Sequence, residues 1–166
     1  MSNTKLFNGK YFGTERFDRS STGKIHTISV AGVLNADYRN PSLDYLSLLK
    51  LSLFLTRDMN EVKKMFRLMV FNIFISNRDD HAKNFSFQYI DSWKLSPAYD
   101  LLPSSGFNGY HTTTINGKGD PSLSDVLFIG KEVGIAENQA KKIVEEIRDN
   151  CQVNNMIKYD LLTKKQ

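Results

Sequence analysis

Residues 77–84 bring together side chains that are suited to binding a metal ion and phosphate groups. The segment reads Asn-Arg-Asp-Asp-His-Ala-Lys-Asn, it follows a long apolar run, and Asp100 lies sixteen residues after its end. Carboxylate and amide oxygens suit Mg²⁺, which proteins commonly bind together with substrate phosphates. Because the segment is short, its side chains can face one space. The pattern therefore predicts a loop for metal-assisted phosphate chemistry.

The spacing within this loop indicates a specific reaction type. Arg78 and Asp79, four further residues and then Asn84 reproduce the Arg-Asp-x-x-x-x-Asn pattern of protein kinase catalytic loops. On this interpretation Asp79 is the general base for the substrate hydroxyl, and Asn84 and Asp100 are the metal ligands. His81 either donates to the transferred phosphate or braces the loop. The brace is favoured because a single histidine is more often structural, although His81 stays among the candidate catalytic residues.

The sequence around the loop is more specific than the spacing. Residues 77–87 continue the loop with Phe-Ser-Phe, and residues 95–103 read Leu-Ser-Pro-Ala-Tyr-Asp-Leu-Leu-Pro. Together they resemble the HipA family of bacterial serine/threonine protein kinases, the toxin half of toxin–antitoxin pairs. The resemblance runs from about residue 10 to about residue 105 and more loosely to the end. Further stretches that agree with it are 15–19, 29–34, 37–39 and 41–45.

The resemblance implies a set of ligands and partners. ATP would be the co-substrate and Mg²⁺ the metal, and the substrate would be a cytoplasmic protein linked to translation. A helix-turn-helix antitoxin that binds DNA would be a partner. In the segment that matches the hinge between kinase lobes, the backbone around Glu15 and Phe17 would bind adenine, and Asp18 would lie near the ribose. The residues of this segment alone predict only an edge strand.

The chain is predicted to be α+β and predominantly α-helical, resembling the C-terminal lobe of a protein kinase with a hinge strand and a short β-hairpin that carries the metal site. Residues 1–19 are assigned to the hinge and the end of an N-terminal lobe, and residues 20–166 to the C-terminal lobe. Periodicity and capping residues predict five helices. They lie at 43–55, 59–76, 121–134, 136–150 and 152–162.

The second predicted helix is expected to support the loop. Asp58 is its N-cap, and its apolar second half, 66–75, predicts burial on most sides. Arg67 and the shortness of this apolar part argue against a membrane span. After the loop, strands at 85–90 and 93–95 are predicted to form a hairpin that brings Asp100 back beside the loop. Residues 10–19, 25–30 and 110–115 are also predicted to be extended, and 40–42 to be a turn.

Composition sets modest bounds. With 166 residues and 40% hydrophobic content, the chain suits one domain with a real core. Its net charge of +4 is scattered, so direct nucleic-acid binding is not expected. The single cysteine, Cys151, excludes an internal disulfide and fits a reducing compartment. There is no long uncharged apolar stretch and no hydrophobic signal core at the start, so we expect a soluble cytoplasmic protein without a membrane partner.

One part of the kinase pattern is missing. A kinase site is covered by a glycine-rich loop and gripped by a strand lysine, and neither precedes the hinge-like segment. We therefore expect residues 1–166 alone to bind ATP weakly and to phosphorylate poorly, with a separately encoded N-terminal lobe as a further partner. Asn77 in place of the histidine before Arg-Asp, and Asp100-Leu101-Leu102 in place of Asp-Phe-Gly, agree with the HipA-like version.

Two other classes of function are open. A metal-dependent phosphohydrolase would use Asp79, Asp80, His81 and Asp100 as ligands, but such sites usually need more histidines than the three in this chain. A non-catalytic, kinase-like remnant would instead bind an antitoxin or a separate N-terminal lobe. Magnesium-dependent nucleotide binding distinguishes an incomplete active site from such a scaffold.

Overall fold

Small antiparallel sheets and larger helices form an α+β arrangement in the computed structural model. Residues 36–42 lie outside the described residues, as does Lys10 of the predicted strand. They include the stretch 37–39 of the resemblance, the first two residues of the stretch 41–45 and the predicted turn at 40–42. The structure describes residues 4–7, 11–35, 43–106, 108–159 and 161–162.

The strands of the described residues form two hairpins and one three-stranded sheet, all antiparallel. The three-stranded sheet contains β5 (His26–Ser29), β6 (Ser86–Ile90) and β7 (Ser92–Leu95) in that order, and its β6–β7 hairpin confirms the one predicted from the sequence. Asp91 turns this hairpin with φ 60°, a left-handed conformation that Asp tolerates better than most residues. The strands are β1 (Thr4–Phe7), β2 (Tyr11–Thr14), β3 (Arg19–Ser20), β4 (Gly23–Lys24), β5 (His26–Ser29), β6 (Ser86–Ile90) and β7 (Ser92–Leu95).

Five α-helices lie in the described residues, and four of them match predicted helices. The short first helix was not predicted, because its five residues are too few to show a period. The helices are α1 (Val30–Leu34), α2 (Tyr45–Thr56), α3 (Met59–Phe74), α4 (Leu123–Glu132) and α5 (Glu137–Val153).

Helix α3 lies at the centre of the core and packs against α2 and α5. Asp58 is its N-cap, as predicted, and accepts from the Asn60 amide at 2.8 Å. Arg67 remains at the surface, where it pairs with Glu146 of α5 at 2.6 Å. Full burial of each large apolar side chain contributes about 1.5–3 kcal/mol, so this packing makes α3 a rigid support. Its buried apolar residues are Val62, Met65, Phe66, Met69, Val70, Ile73 and Phe74.

The β6–β7 hairpin is fixed to the start of α3. The buried Glu61 side chain accepts a hydrogen bond from the Leu95 amide at 2.9 Å. Lys94 pairs with the capping Asp58 at 3.2 Å. The segment after β7, which leads to Asp100, therefore leaves from a fixed point.

No helix of the described residues is long and apolar enough to cross a membrane.

Three predicted elements differ from the structure. In the described part of 10–19, β2 ends at Thr14 and β3 begins only at Arg19, because the chain turns at 17–18 and the Asp18 carbonyl accepts from the Ile25 amide. Residues 110–115 form isolated bridges instead of a strand. The helix predicted at 152–162 is wrong. Helix α5 ends at Val153, and Asn155 adopts φ 53°, a left-handed conformation that helices often end with.

Candidate active site

The end of α3 directs the chain into the predicted catalytic loop. Ser76 has φ 53°, and its amide donates to the Ile73 carbonyl while the Asn77 amide donates to the Asn72 carbonyl. This pair of bonds is a Schellman ending, which satisfies the last carbonyls of a helix and reverses the chain. The loop then closes with a short 3₁₀ turn at Ala82–Asn84. Its start is therefore fixed to the buried end of α3.

Asp79 and Asn84 lie at opposite ends of the exposed part of this loop. The Asp79 side chain is 59% exposed, and its backbone carbonyl accepts from the Asn84 Nδ2 at 2.7 Å. Because the Asn84 nitrogen is used inside the loop, its Oδ1 is the atom left for a cation. His81 Nε2 lies 3.9 Å from an Asp79 carboxylate oxygen. His81 is thus close enough to orient Asp79, and its catalytic role stays a prediction.

Asp80 faces the opposite way from its neighbour and is completely buried. Its carboxylate accepts from the Tyr45 hydroxyl, from His111 Nδ1 and from the Thr112 amide, each at 2.9 Å, and from the Thr113 amide at 3.2 Å. Removing a partner from a buried carboxylate is costly, since an unpaired buried charge has no compensation. The sequence interpretation missed this role, because two adjacent aspartates do not reveal which one faces the core.

A buried polar chain continues from Asp80 to the second predicted metal ligand. The Tyr45 hydroxyl accepts from Asn72 Nδ2 at 3.0 Å, and Asn72 Oδ1 accepts from Asn77 Nδ2 at 3.1 Å. Asn77 Nδ2 also donates to the backbone carbonyl of Asp100 at 3.2 Å. Burial, together with the charge of Asp80, raises the pKa of Tyr45 well above its ordinary value, so its hydroxyl stays a donor. We call Asp80, Tyr45, Asn72 and Asn77 the buried polar chain.

Asp100 itself is exposed and has φ 55°, which is uncommon for a residue other than glycine. Its predecessor Tyr99 donates through its hydroxyl to the Lys83 carbonyl at 2.6 Å and lies 2.6 Å from the Ser86 hydroxyl. Burial raises the pKa of Tyr99, and the nearby charge of Asp100 adds to this. The residue before Asp100 therefore contacts the residue before Asn84, so the hairpin does return this segment to the loop.

The hinge-like segment reaches the same region from another side. The Phe17 ring lies 5.4 Å from the Tyr99 ring, and its carbonyl accepts from Gln88 Nε2 of β6 at 2.7 Å. The exposed Arg16 contacts Asp18 at 2.6 Å, and its hydrogen bond lowers the pKa of Asp18 to about 2. Glu15 is exposed.

A cavity of about 850 Å³ separates this segment from α3 and the chain after β7. Glu15 and Phe17 line it, whereas Asp79, Asn84 and Asp100 do not. The cavity and the candidate catalytic groups are thus distinct, and Tyr99, which contacts both Phe17 and the Lys83 carbonyl, links the two regions. The other lining residues are Arg16, Arg19, Lys64, Leu68, Leu95, Ser96, Pro97 and Ala98.

The candidate donor groups fit a magnesium site better than they fit the metal site of a phosphohydrolase. Asp100 has an exposed carboxylate and Asn84 offers an amide oxygen, the hard donors that Mg²⁺ prefers. Asp80, which the phosphohydrolase interpretation requires, has its oxygens committed to four protein donors. Within the described parts of the chain, no three His, Cys, Asp or Glu side chains are grouped as metal ligands.

Comparison with solved structures shows which fold this is. The HipA protein in the complex of Shewanella oneidensis MR-1 HipA, HipB and operator DNA matches with a TM-score of 0.75. The match covers 94% of this chain and 45% of the other, at 18% sequence identity. At that identity the likeness concerns the fold alone, and it defines an α+β domain of the HipA type.

The family follows from the sequence model that matches residues 1–154, which is described as the HipA-like C-terminal domain. The chain belongs to this family, as the loop sequence predicted. Two curated relatives come from Sinorhizobium fredii (strain NBRC 101917 / NGR234). The protein named Putative kinase Y4dM is 32% identical over 113 residues, 65% of this chain and 27% of its own length. Putative kinase Y4mE is 34% identical over 87 residues, 51% of this chain and 18% of its own length.

Proposed function

We propose that this domain carries the catalytic loop and the metal ligands of an ATP-dependent serine/threonine protein kinase of the HipA type. The observation that carries the proposal is that two adjacent aspartates have opposite environments. Asp80 is buried and bound by four donors, whereas Asp79 is held beside it with an exposed carboxylate. A general base must be accessible to a substrate and fixed in place, and this arrangement meets both requirements.

The other residues take roles that follow from their positions. Asp79 accepts the proton of the substrate hydroxyl, and His81, near its carboxylate, orients it. Asn84 Oδ1 and the Asp100 carboxylate hold Mg²⁺, which when bound neutralises charge on the phosphates. Tyr99 keeps the Asp100 segment against the loop through its bond to the Lys83 carbonyl. Phosphoryl transfer depends mainly on such positioning and on electrostatic stabilisation.

The nucleotide base is proposed to bind at the hinge-like segment. The backbone around Glu15 and Phe17 recognises adenine, and Asp18 lies toward the ribose. The contact between the Phe17 and Tyr99 rings supports this proposal, because it joins the hinge-like segment to the residue next to the metal ligand Asp100. A kinase site that spans both regions needs this continuity.

The chain spans about a quarter of Putative kinase Y4dM and less than half of the HipA chain it resembles. Full activity is therefore proposed to require a further lobe that grips the phosphates. A cytoplasmic location, a protein substrate linked to translation and an antitoxin partner are proposed from the family. The antitoxin is supported by the presence of HipB in the solved complex.

Isothermal titration calorimetry with a non-hydrolysable ATP analogue tests the proposal. The chain is titrated with and without Mg²⁺, as wild type, as Asp100→Asn and as Asp91→Asn. Asp91 is a matched control, because it is also an exposed aspartate with φ near 60° but it turns the hairpin. We expect magnesium-dependent binding that weakens about tenfold or more in Asp100→Asn, the loss of one charged ligand, and that is unchanged in Asp91→Asn.

Absence of nucleotide binding by the wild type would contradict the proposed site in this chain and favour a non-catalytic role in partner binding. Binding without magnesium dependence, or equal weakening in both variants, would contradict the assignment of Asp100. Phosphorylation is then tested with the chain joined to a full-length relative's N-terminal portion, with Asp79→Asn as the inactive control.

A further inference from the structure

We propose that the buried polar chain is a positioning device that couples the loop carrying Asp79 to the segment carrying Asp100. The two candidate functional groups, Asp79 and Asp100, belong to different loops. The buried polar chain connects these loops through side chains of α2 and α3. Its consequence for nucleotide binding rests on the proposed function. The mechanical coupling itself is a property of the fold and is tested separately.

At one end, the chain fixes the backbone on both sides of Asp79. The Asp80 carboxylate accepts the backbone amides of Thr112 and Thr113. The Arg78 carbonyl accepts from the Thr112 amide at 3.0 Å and from its hydroxyl at 2.9 Å. Asp79 therefore lies between two anchored residues, which fixes the position of its backbone.

In the middle, burial and chemistry allow one direction of donation. Tyr45 is fully buried and Asn72 is 2% exposed, so neither exchanges its partners with bulk water. A carboxylate only accepts, so Tyr45 must donate to Asp80 and must accept from the Asn72 nitrogen. The Asn72 oxygen is then left to accept from Asn77. The orientation of each group is set by the one before it, starting from Asp80.

At the other end, Asn77 holds the backbone at Asp100. Its nitrogen donates to the Asp100 carbonyl, and the neighbouring Ser76 carbonyl accepts from the Ser104 amide at 2.9 Å. Asp100 has a left-handed φ, a conformation that persists in a non-glycine residue where its surroundings stabilise it. Since φ and ψ at Asp100 set the direction of its side chain, Asn77 controls where the metal ligand points.

The variant Tyr45→Phe tests the coupling, since it removes one hydroxyl from the middle of the chain and keeps the ring. Ser52→Ala is the matched control, because Ser52 is also a buried hydroxyl of α2 but bonds only to the Leu48 carbonyl of its own helix. Residue-resolved amide hydrogen exchange by NMR is measured at Ser104 and Thr113, with amides of α5 as the internal reference for global unfolding.

We expect exchange at both Ser104 and Thr113 to accelerate about fivefold or more in Tyr45→Phe relative to the α5 amides, as expected for the loss of one buried hydrogen bond. Ser52→Ala is expected to leave this ratio unchanged. The second variant, Asn77→Ala, removes the hydrogen bonds of the buried polar chain at its Asp100 end. It is expected to accelerate exchange at Thr113, although Asn77 has no bond to that residue.

Acceleration confined to one end of the chain in both variants would overturn the coupling, as would equal acceleration in Ser52→Ala. Magnesium-dependent affinity for the ATP analogue, measured on the same samples, separates the two proposals. Weaker affinity in Tyr45→Phe than in Ser52→Ala, measured at a temperature at which both variants remain fully folded, supports the positioning role. If the wild type binds no nucleotide, the proposed function fails, while the exchange ratios still decide whether the two loops are coupled.

Discussion

The loop at 77–84 and the hinge-like segment at 15–19 are built in opposite ways. The loop rests on a buried carboxylate with four donors and on the capped end of α3. The hinge-like segment has mostly exposed side chains. Phe17 contacts the rest of the domain through one hydrogen bond and one ring contact, and Asp18 and Arg19 bond locally to residues 24–25. Buried, fully bonded polar groups make a rigid site, whereas exposed pairs contribute little.

This difference indicates that the loop is rigid and that the hinge-like segment is less constrained. On the proposed function, the loop would be a preorganised site for metal and phosphate, and the segment would be a looser surface for the adenine base. Mutations beneath the loop should therefore affect stability most strongly. Mutations on the exposed side of the loop should leave stability unchanged while they affect function. Mutations in the hinge-like segment should have small effects on both stability and function.

The largest expected effect is that of Asp80→Ala. It leaves the Tyr45 hydroxyl, His111 and the Thr113 amide without their buried acceptor, so the free energy of unfolding should fall by about 3–5 kcal/mol. The neighbouring Asp79→Ala is the control, and because Asp79 is exposed its effect should be less than about 0.5 kcal/mol. Urea denaturation followed by circular dichroism measures both. Equal effects of the two variants would contradict a structural role for Asp80 that Asp79 does not share.

A second large effect is expected at Gly106, where the chain passes close to the loop. Gly106 has φ +62°, and a Cβ there would lie 2.4 Å from the Tyr110 carbonyl oxygen and 2.6 Å from Arg78 Cβ. Gly106→Ala should therefore reduce stability by about 2–4 kcal/mol through strain and overlap. Gly117→Ala, at φ +73° with no atom within 4 Å, should cost only about 1–2 kcal/mol. A smaller loss at Gly106 than at Gly117 would show that the loop is not tightly covered there.

Sequence patterns predicted the parts of the fold that depend on local periodicity and capping. The helices α2 and α3, the N-cap Asp58 and the β6–β7 hairpin are all local features, and each was confirmed. The loop was located because its residue types and spacing are set by its chemistry. The predicted roles of Asp79, His81, Asn84, Asp100 and the hinge residues Glu15, Phe17 and Asp18 stay predictions.

The parts that depend on long-range contacts could not be predicted. Asp80 and His111 meet across thirty-one positions of the chain, and neither has a local pattern that indicates burial. Tyr45 and Asn72 appear in the sequence as ordinary members of two helices, although their side chains join two loops. The wrong helix at 152–162 has a local cause, since the helix-ending role of Asn155 was not recognised.

A moderate effect is expected for Gln88→Leu, which removes the donor to the Phe17 carbonyl while keeping a side chain of similar size. Stability should fall by about 1 kcal/mol, and affinity for the ATP analogue should weaken more than stability changes, since Phe17 loses its hydrogen bond to β6 and keeps only its ring contact with Tyr99. Gln139→Leu, on the exposed side of α5, is the control. Calorimetry and denaturation on the same samples measure both quantities. Unchanged affinity would argue against base binding at this segment.

The smallest effect is expected for Arg16→Ala. Without the Arg16 hydrogen bond, the pKa of Asp18 should rise from about 2 toward its ordinary value of 3.8. Because the pKa of Asp18 is lower in the folded state than in the unfolded state, its ionised carboxylate stabilises the folded state at pH values above the unfolded pKa. This contribution is lost as the pH falls through about 2. It should be small, because both side chains are exposed. An NMR titration of the Asp18 carboxyl measures the shift, and Arg19→Ala, at a longer distance of 3.2 Å, should change it less.

The most direct test of the central claim locates the bound metal. Mn²⁺ replaces Mg²⁺ in oxygen sites, and its unpaired electrons broaden NMR signals of nearby amides. With the Mn²⁺ complex of the ATP analogue, we predict selective broadening at residues 79–84 and at Leu101, with signals of α5 unaffected. Binding accompanied by broadening away from these two segments would contradict the assignment of the loop as the metal and phosphate site.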